Sequence, residues 1–181
     1  MSRIAPLSPP YAPQIQEQFD KVMRGAPPLV LFRVMAGQPR AWEKFRGGSL
    51  LDRGPLSLRE REIVIDRTCA LNRCEYEWGV HVAAFGDAAG FTPAQNRAIA
   101  DPAADDSALT ERDRLLVRMV DELHETANVS DGLWQQLAAQ WSTEQLLELL
   151  LLAGWYHAIS YVCNAARVPL EPWAARWQRP G

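Results

Sequence analysis

Apolar residues recur at three- and four-residue spacing along most of this chain, and no stretch alternates convincingly in the two-residue period of a strand. The pattern predicts an all-α protein of about seven to nine helices. Residues 14–24 read as a helix ended by Gly25 and the pair Pro27-Pro28. Residues 28–36 continue as an apolar helix, and a short helix over 40–45 precedes Gly47-Gly48. Ser57, with Glu60 three residues on, has the form of a capping box and predicts a helix to about Leu71. Its apolar positions are Leu58, Ile63, Ile65, Ala70 and Leu71. Asn72-Arg73 is a weak break, so a second helix is expected over 74–89, closed by Gly90. Thr92 and Pro93 begin another, to about Ala100, followed by a polar loop over 101–107. Thr110 with Asp113, Ser130, and Ser142 with Gln145 start three more, which run to about His124, Gln140 and Ala166.

Four prolines in the first thirteen residues predict an extended N-terminal arm over 1–13. A single domain is expected over 14–173, with a C-terminal tail over 174–181. At 181 residues, 48% hydrophobic and 23% charged, the chain suits one globular domain. Net charge is −3 and no basic cluster appears, so no nucleic-acid footprint is expected. The odd count of three cysteines argues against a disulfide scaffold and for a cytoplasmic location. MSRIAPLSPPYAP has no apolar core and does not read as a signal peptide. The run 149–166 approaches the length of a membrane span. It contains His157, Ser160 and Asn164, so a buried core helix is the better reading and no membrane partner is expected.

Chemistry concentrates in EIVIDRTCALNRCEYEWGVH, residues 62–81. At about 100° per residue from Cys74, Glu77 falls near −60°, Trp78 near 40°, His81 near −20° and Phe85 near 20°. A thiol, a carboxylate and an imidazole therefore share one narrow stripe with two aromatic rings. Titrating groups on an apolar face are costly to bury without a partner or a purpose. The plainer reading is a simple Glu77–His81 helix pair.

LSLREREIVIDRTCALNRCEYEWGVH resembles the signature of the carboxymuconolactone decarboxylase and alkylhydroperoxidase D-like superfamily. LTERDRLLVRMVDELHETANVSDGLW and STEQLLELLLLAGWYHAISYVCNAARVPLEP are similar to the C-terminal half of its longer members, so the resemblance spans roughly residues 28–173. It implies an alkylhydroperoxidase D-like helical bundle and an obligate homo-oligomer (dimer, trimer or hexamer). In the peroxidase branch a glutamate precedes Cys-x-x-Cys by twelve residues, and a histidine follows four beyond the second cysteine. Glu62, Cys74 and His81 match, but Glu77 stands at the second cysteine. The decarboxylase branch reads arginine, glutamate, histidine, glutamate before its histidine. Glu75, Glu77 and His81 match that pattern, while Cys74 and Tyr76 depart from it.

The first functional reading is a decarboxylase-like enzyme acting on a small carboxylated or lactone-type molecule. His81 would be the acid–base group, with Glu77 and Glu62 in support and Cys74 alongside. Trp78, Phe85, Tyr76 and, from the last helix, His157 would wall the substrate pocket. The second is a thiol-dependent peroxidase using Cys74, whose thiol the helix start activates. Lacking a cysteine three residues on, it would need Cys69, another chain or an external thiol. The third is a non-catalytic oligomeric module. No cofactor is expected. A metal on Glu62, Glu77 and His81 is chemically possible but unsupported by the resemblance. Cys163, in the long apolar helix, reads as core.

Overall fold

The computed structural model describes residues 2–101 and 103–177. Met1 of the expected arm, Pro102 of the polar loop and residues 178–181 of the tail lie outside that range. Nine α-helices and one 3₁₀ turn are present among the described residues, with no strand. They are α1 (Pro13–Met23), α2 (Val30–Met35), α3 (Pro39–Gly47), α4 (Leu58–Leu71) and α5 (Glu75–Phe85). After these come α6 (Pro93–Ala100), the 3₁₀ turn Asp106–Ala108, α7 (Glu111–Thr126), α8 (Asp131–Ala138) and α9 (Thr143–Ala166).

The starts follow from local chemistry. Ser57–Glu60, Thr92–Gln95, Thr110–Asp113 and Ser142–Gln145 each close a reciprocal capping box, satisfying N–H groups that the first turn leaves free. Ser130 departs from expectation. Its backbone N–H and hydroxyl both donate to the Glu122 carboxylate on α7, so it ties α8 to α7 instead of capping. The break between α4 and α5 lies where Asn72-Arg73 suggested it, with Arg73 in the left-handed region at φ 52°. α5 is shorter than expected. It ends at Phe85, and residues 86–90 form a turn in which Phe91 N–H donates to the Gly86 carbonyl (3.0 Å). Gly90, at φ +74°, ends that turn and not the helix.

α4 is the axis of the bundle, packed by α5, α6, α7 and α9. It is buried nearly all round, its charged Glu60, Glu62, Asp66 and Arg67 included. Arg59 clamps α4 to α7 through two hydrogen bonds to Asp113 (3.0 and 2.8 Å). Arg67 turns away to Asp121 (2.6 Å) and the Ile99 carbonyl. α9 is long and apolar enough by composition to cross a membrane. Here Leu149, Leu152, Tyr156, Ile159, Ser160 and Cys163 form its buried face against the bundle, which makes it a core helix. A smaller cluster of Phe19, Ala36 and Trp42 roots α1 and α3. Its aromatic chain continues through Phe45 to Trp155 on α9. The arm lies extended, with Arg3 N–H on the Ala166 carbonyl and Leu7 N–H on the Arg33 carbonyl.

Candidate functional site

Three helices each turn a polar face toward one point. α4 contributes Glu62, Asp66 and Cys69, spaced by four and three residues. α5 contributes Cys74, Glu77 and His81, and α9 contributes Tyr156, Ser160 and Cys163 with the same spacing. All nine residues are buried.

His81 is the hub. In its charged form the ring donates from Nδ1 to Glu62 Oε2 at 2.7 Å. Its Nε2 lies 3.0 Å from the Tyr156 hydroxyl and 3.7 Å from Glu77 Oε2. Burial opposes charging of the imidazole. The Glu62 charge and hydrogen bond, then the charges of Glu77 and Asp66, outweigh it and raise the pKa above the ordinary histidine value. Burial raises the Glu77 carboxyl, with His81 opposing. Burial also pushes Asp66 well up, and Oδ1 of that side chain has no hydrogen-bond partner among the described residues.

The second centre is the thiol cluster. Cys74 is the N-cap of α5, one residue before the expected first turn but still at the positive end of the helix. The Cys163 S–H donates to Glu77 Oε1 at 3.8 Å. Hydrogen bonding from Cys163 is the main reason the Cys74 thiol is held below the usual value. Burial opposes it, and the Glu77 backbone N–H adds to it. Its donor role pushes the Cys163 thiol well up, and burial adds. Cys69 is pushed well up by burial. All three thiols are free. Glu77 links the two centres, one oxygen facing the imidazole and the other facing Cys163.

Phe85 stands 5.3 Å from His81, ring to ring, and is half-buried. It and Arg61, whose Nε lies 3.5 Å from Glu62 Oε1, are the outermost members of the site. The other expected wall residues lie elsewhere. Tyr76 donates its hydroxyl to Glu171 (2.7 Å) and accepts the Leu31 N–H (3.0 Å), which makes it a structural tie to α2 and the segment after α9. Trp78 leans on Trp177, with ring centroids 5.9 Å apart. His157 is also displaced from the expected pocket. One residue along α9 is about 100° of rotation, so Tyr156 faces His81 while His157 turns outward. There it contacts Asn72 and Tyr161 and lines, with His124 and Thr68, an open cavity of about 410 Å³. Neither that cavity nor the smaller one beside Arg67 touches His81. Asp66, Ser160 and Cys163 are the members that sequence reasoning missed. The signal was available in their shared spacing with Tyr156 and with Glu62.

The fold is similar to that of an uncharacterized peroxidase-related protein from Silicibacter sp. TM1040 (TM-score 0.80, 16% identity, 94% of this chain and 92% of that one covered). It is also similar to the alkylhydroperoxidase AhpD core of an uncharacterized peroxidase-related protein from Ralstonia eutropha JMP134 (TM-score 0.77, 17% identity, 94% and 93% covered). Residues 38–119 match the carboxymuconolactone decarboxylase family model. That match runs from the start of α3 into α7, and the likeness to the two solved structures shows the fold. No curated protein matches the sequence.

Proposed function

We propose that this chain is a thiol-dependent reductase of small hydroperoxides, with Cys74 as the nucleophile and His81 as the proton source. One observation carries the reading. The two oxygens of Glu77 face His81 Nε2 at 3.7 Å and the Cys163 thiol at 3.8 Å, and Cys74 is the N-cap of the same helix. The result is a proton route from imidazole to sulfur. Cys74 thiolate attacks the distal peroxide oxygen. The S–O bond forms as O–O breaks, and the alkoxide leaves as an alcohol with a proton drawn from His81 through Glu77. Cys74 becomes a sulfenic acid, and an external dithiol supplies the two electrons that restore it. Its lowered pKa raises the fraction of attacking thiolate.

Electrostatics favour this over the decarboxylase-like reading. Three carboxyl groups surround His81, and the guanidinium in reach, Arg61, already faces Glu62 and donates to the Leu51 carbonyl. Arg67 is bound to Asp121. A substrate carboxylate would meet excess negative charge, whereas a neutral hydroperoxide would not. The buried 2.7 Å Glu62–His81 pair keeps acid–base lyase chemistry as the second reading. The three buried free thiols suit a reducing, cytoplasmic setting.

The test is tert-butyl hydroperoxide consumption with dithiothreitol. Cys74→Ser is expected to fall to the uncatalysed rate and His81→Gln to lose most of the activity, both with unchanged helicity. Consumption by Cys74→Ser at the wild-type rate would remove the reading. A lyase activity lost in His81→Gln but kept in Cys74→Ser would install the second.

A further inference from the structure

The open cavity of about 410 Å³ beside His157 takes no part in the chemistry at His81. It lies between α7 and α9, with Thr68 of α4 behind it. We propose that this cavity binds a small uncharged molecule, an apolar body carrying one hydroxyl or carbonyl oxygen. The site goes beyond the peroxidase reading and does not rest on it.

The volume is within the range of small-molecule sites. Val120, Leu123 and Leu150 give the cavity apolar walls. Its described lining contains no lysine, arginine, aspartate or glutamate. A charged ligand would therefore shed water without meeting a fixed counter-charge, whereas an uncharged one would not. Burial, and then the neighbouring His124, hold the His157 imidazole below the ordinary histidine value, which keeps that wall neutral near pH 7.

Two polar groups of the lining have bonding capacity left. Thr68 is 3% exposed, and its buried hydroxyl has no hydrogen-bond partner among the described residues. A buried hydroxyl left unpaired is costly, and a ligand oxygen at the cavity floor would relieve it. Tyr161 is 63% exposed and stands at the rim. The Asn72 amide donates one hydrogen to the Thr68 carbonyl (2.8 Å) and the other to His157 Nδ1 (3.3 Å). With Nδ1 accepting, the neutral ring carries its proton on Nε2 and donates it to the Tyr161 oxygen. The Tyr161 O–H is then left to donate outward. Apolar walls with a hydroxyl at the floor and a donor at the rim fit an apolar body with a single oxygen.

The experiment is an NMR titration of the full chain, followed at the Thr68 amide and at the His124 and His157 rings. Three probes share one ring: 4-ethylphenol, ethylbenzene without the oxygen, and the 4-ethylbenzoate anion. 4-Ethylphenol is expected to bind about tenfold more tightly than either of the others. Thr68→Val removes the hydroxyl at nearly constant volume. It should weaken 4-ethylphenol about five- to tenfold and leave ethylbenzene unchanged, a split that a merely structural role would not give. A Cβ at Gly154, in the cavity lining, would meet nothing within 4 Å, so Gly154→Leu fills the space without strain and should abolish binding with helicity intact. No shift at these resonances with any probe would overturn the site. So would ethylbenzene or the anion binding as tightly as the phenol, an undiminished affinity in Thr68→Val, or wild-type binding by Gly154→Leu. A second copy of this chain is the rival occupant, because Gly154, Ala158 and Tyr161 of the lining are exposed on α9. Sedimentation with saturating 4-ethylphenol is expected to match that without it. Dissociation of an assembly by the phenol would give the cavity to the second copy and overturn the proposal.

Discussion

Asp66 shows at the residue scale how the site manages charge. It is buried, one oxygen lacks a partner among the described residues, and burial drives its pKa well up. A carboxyl raised on folding contributes stability that is complete below its unfolded value and is lost as pH rises through the folded value. Asp66→Asn is therefore expected to stabilise the protein at neutral pH, with the gain shrinking toward pH 4 in denaturant titrations. Removing that neighbouring charge should also lower the His81 midpoint in an NMR titration, because Asp66 is one of the groups holding it up. A His81 midpoint unchanged in the variant would show that Asp66 is already neutral wherever His81 titrates. For His81 the sign is the same. Its raised pKa stabilises the fold most below the ordinary histidine value and progressively less as pH climbs through the folded one.

At the scale of elements, α5 is held from both sides. On one side are the thiols and α9, and on the other is the C-terminal segment, where Ala175 N–H donates to the Gly79 carbonyl (2.9 Å) and Trp177 N–H to Glu75 (3.2 Å). Gly79 lets that segment approach, since a Cβ there would collide with the Ala175 carbonyl oxygen. Gly79→Ala is expected to lift residues 174–177 off the helix at a cost of about 1–3 kcal/mol. The readouts are faster hydrogen exchange at Ala175 and a red-shifted tryptophan emission, and protection equal to wild type would refute it. Elements were legible in the sequence where side chains cap backbones, which is why the starts of α4, α6, α7 and α9 could be read directly. The end of α5 was not, because Gly90 offers the same signal whether it ends a helix or a turn. Nor was the burial of α4 legible. Asp66 and Arg67 look like a solvated face until helices from distant sequence enclose them.

At the scale of the whole molecule, α9 has a second apolar face. Leu147, Leu151, Gly154, Ala158 and Tyr161 repeat at spacings of four, three, four and three and are exposed, with Leu151 and Tyr161 each 63% accessible. That is the spacing of a helix seam, and the superfamily resemblance implies a homo-oligomer. We expect the chain to sediment well above its 20.3 kDa monomer mass, and Leu151→Glu to shift it toward monomer with helicity intact. Wild-type sedimentation as a monomer at micromolar concentration would contradict this.

All three cysteines are buried between α4, α5 and α9. A chromogenic thiol reagent therefore meets either none of them or the whole set. Its kinetics should show one rate constant governed by how often the bundle breathes, whatever the reagent concentration once that is high. The chain thus carries its own clock for the opening through which any reactant must pass.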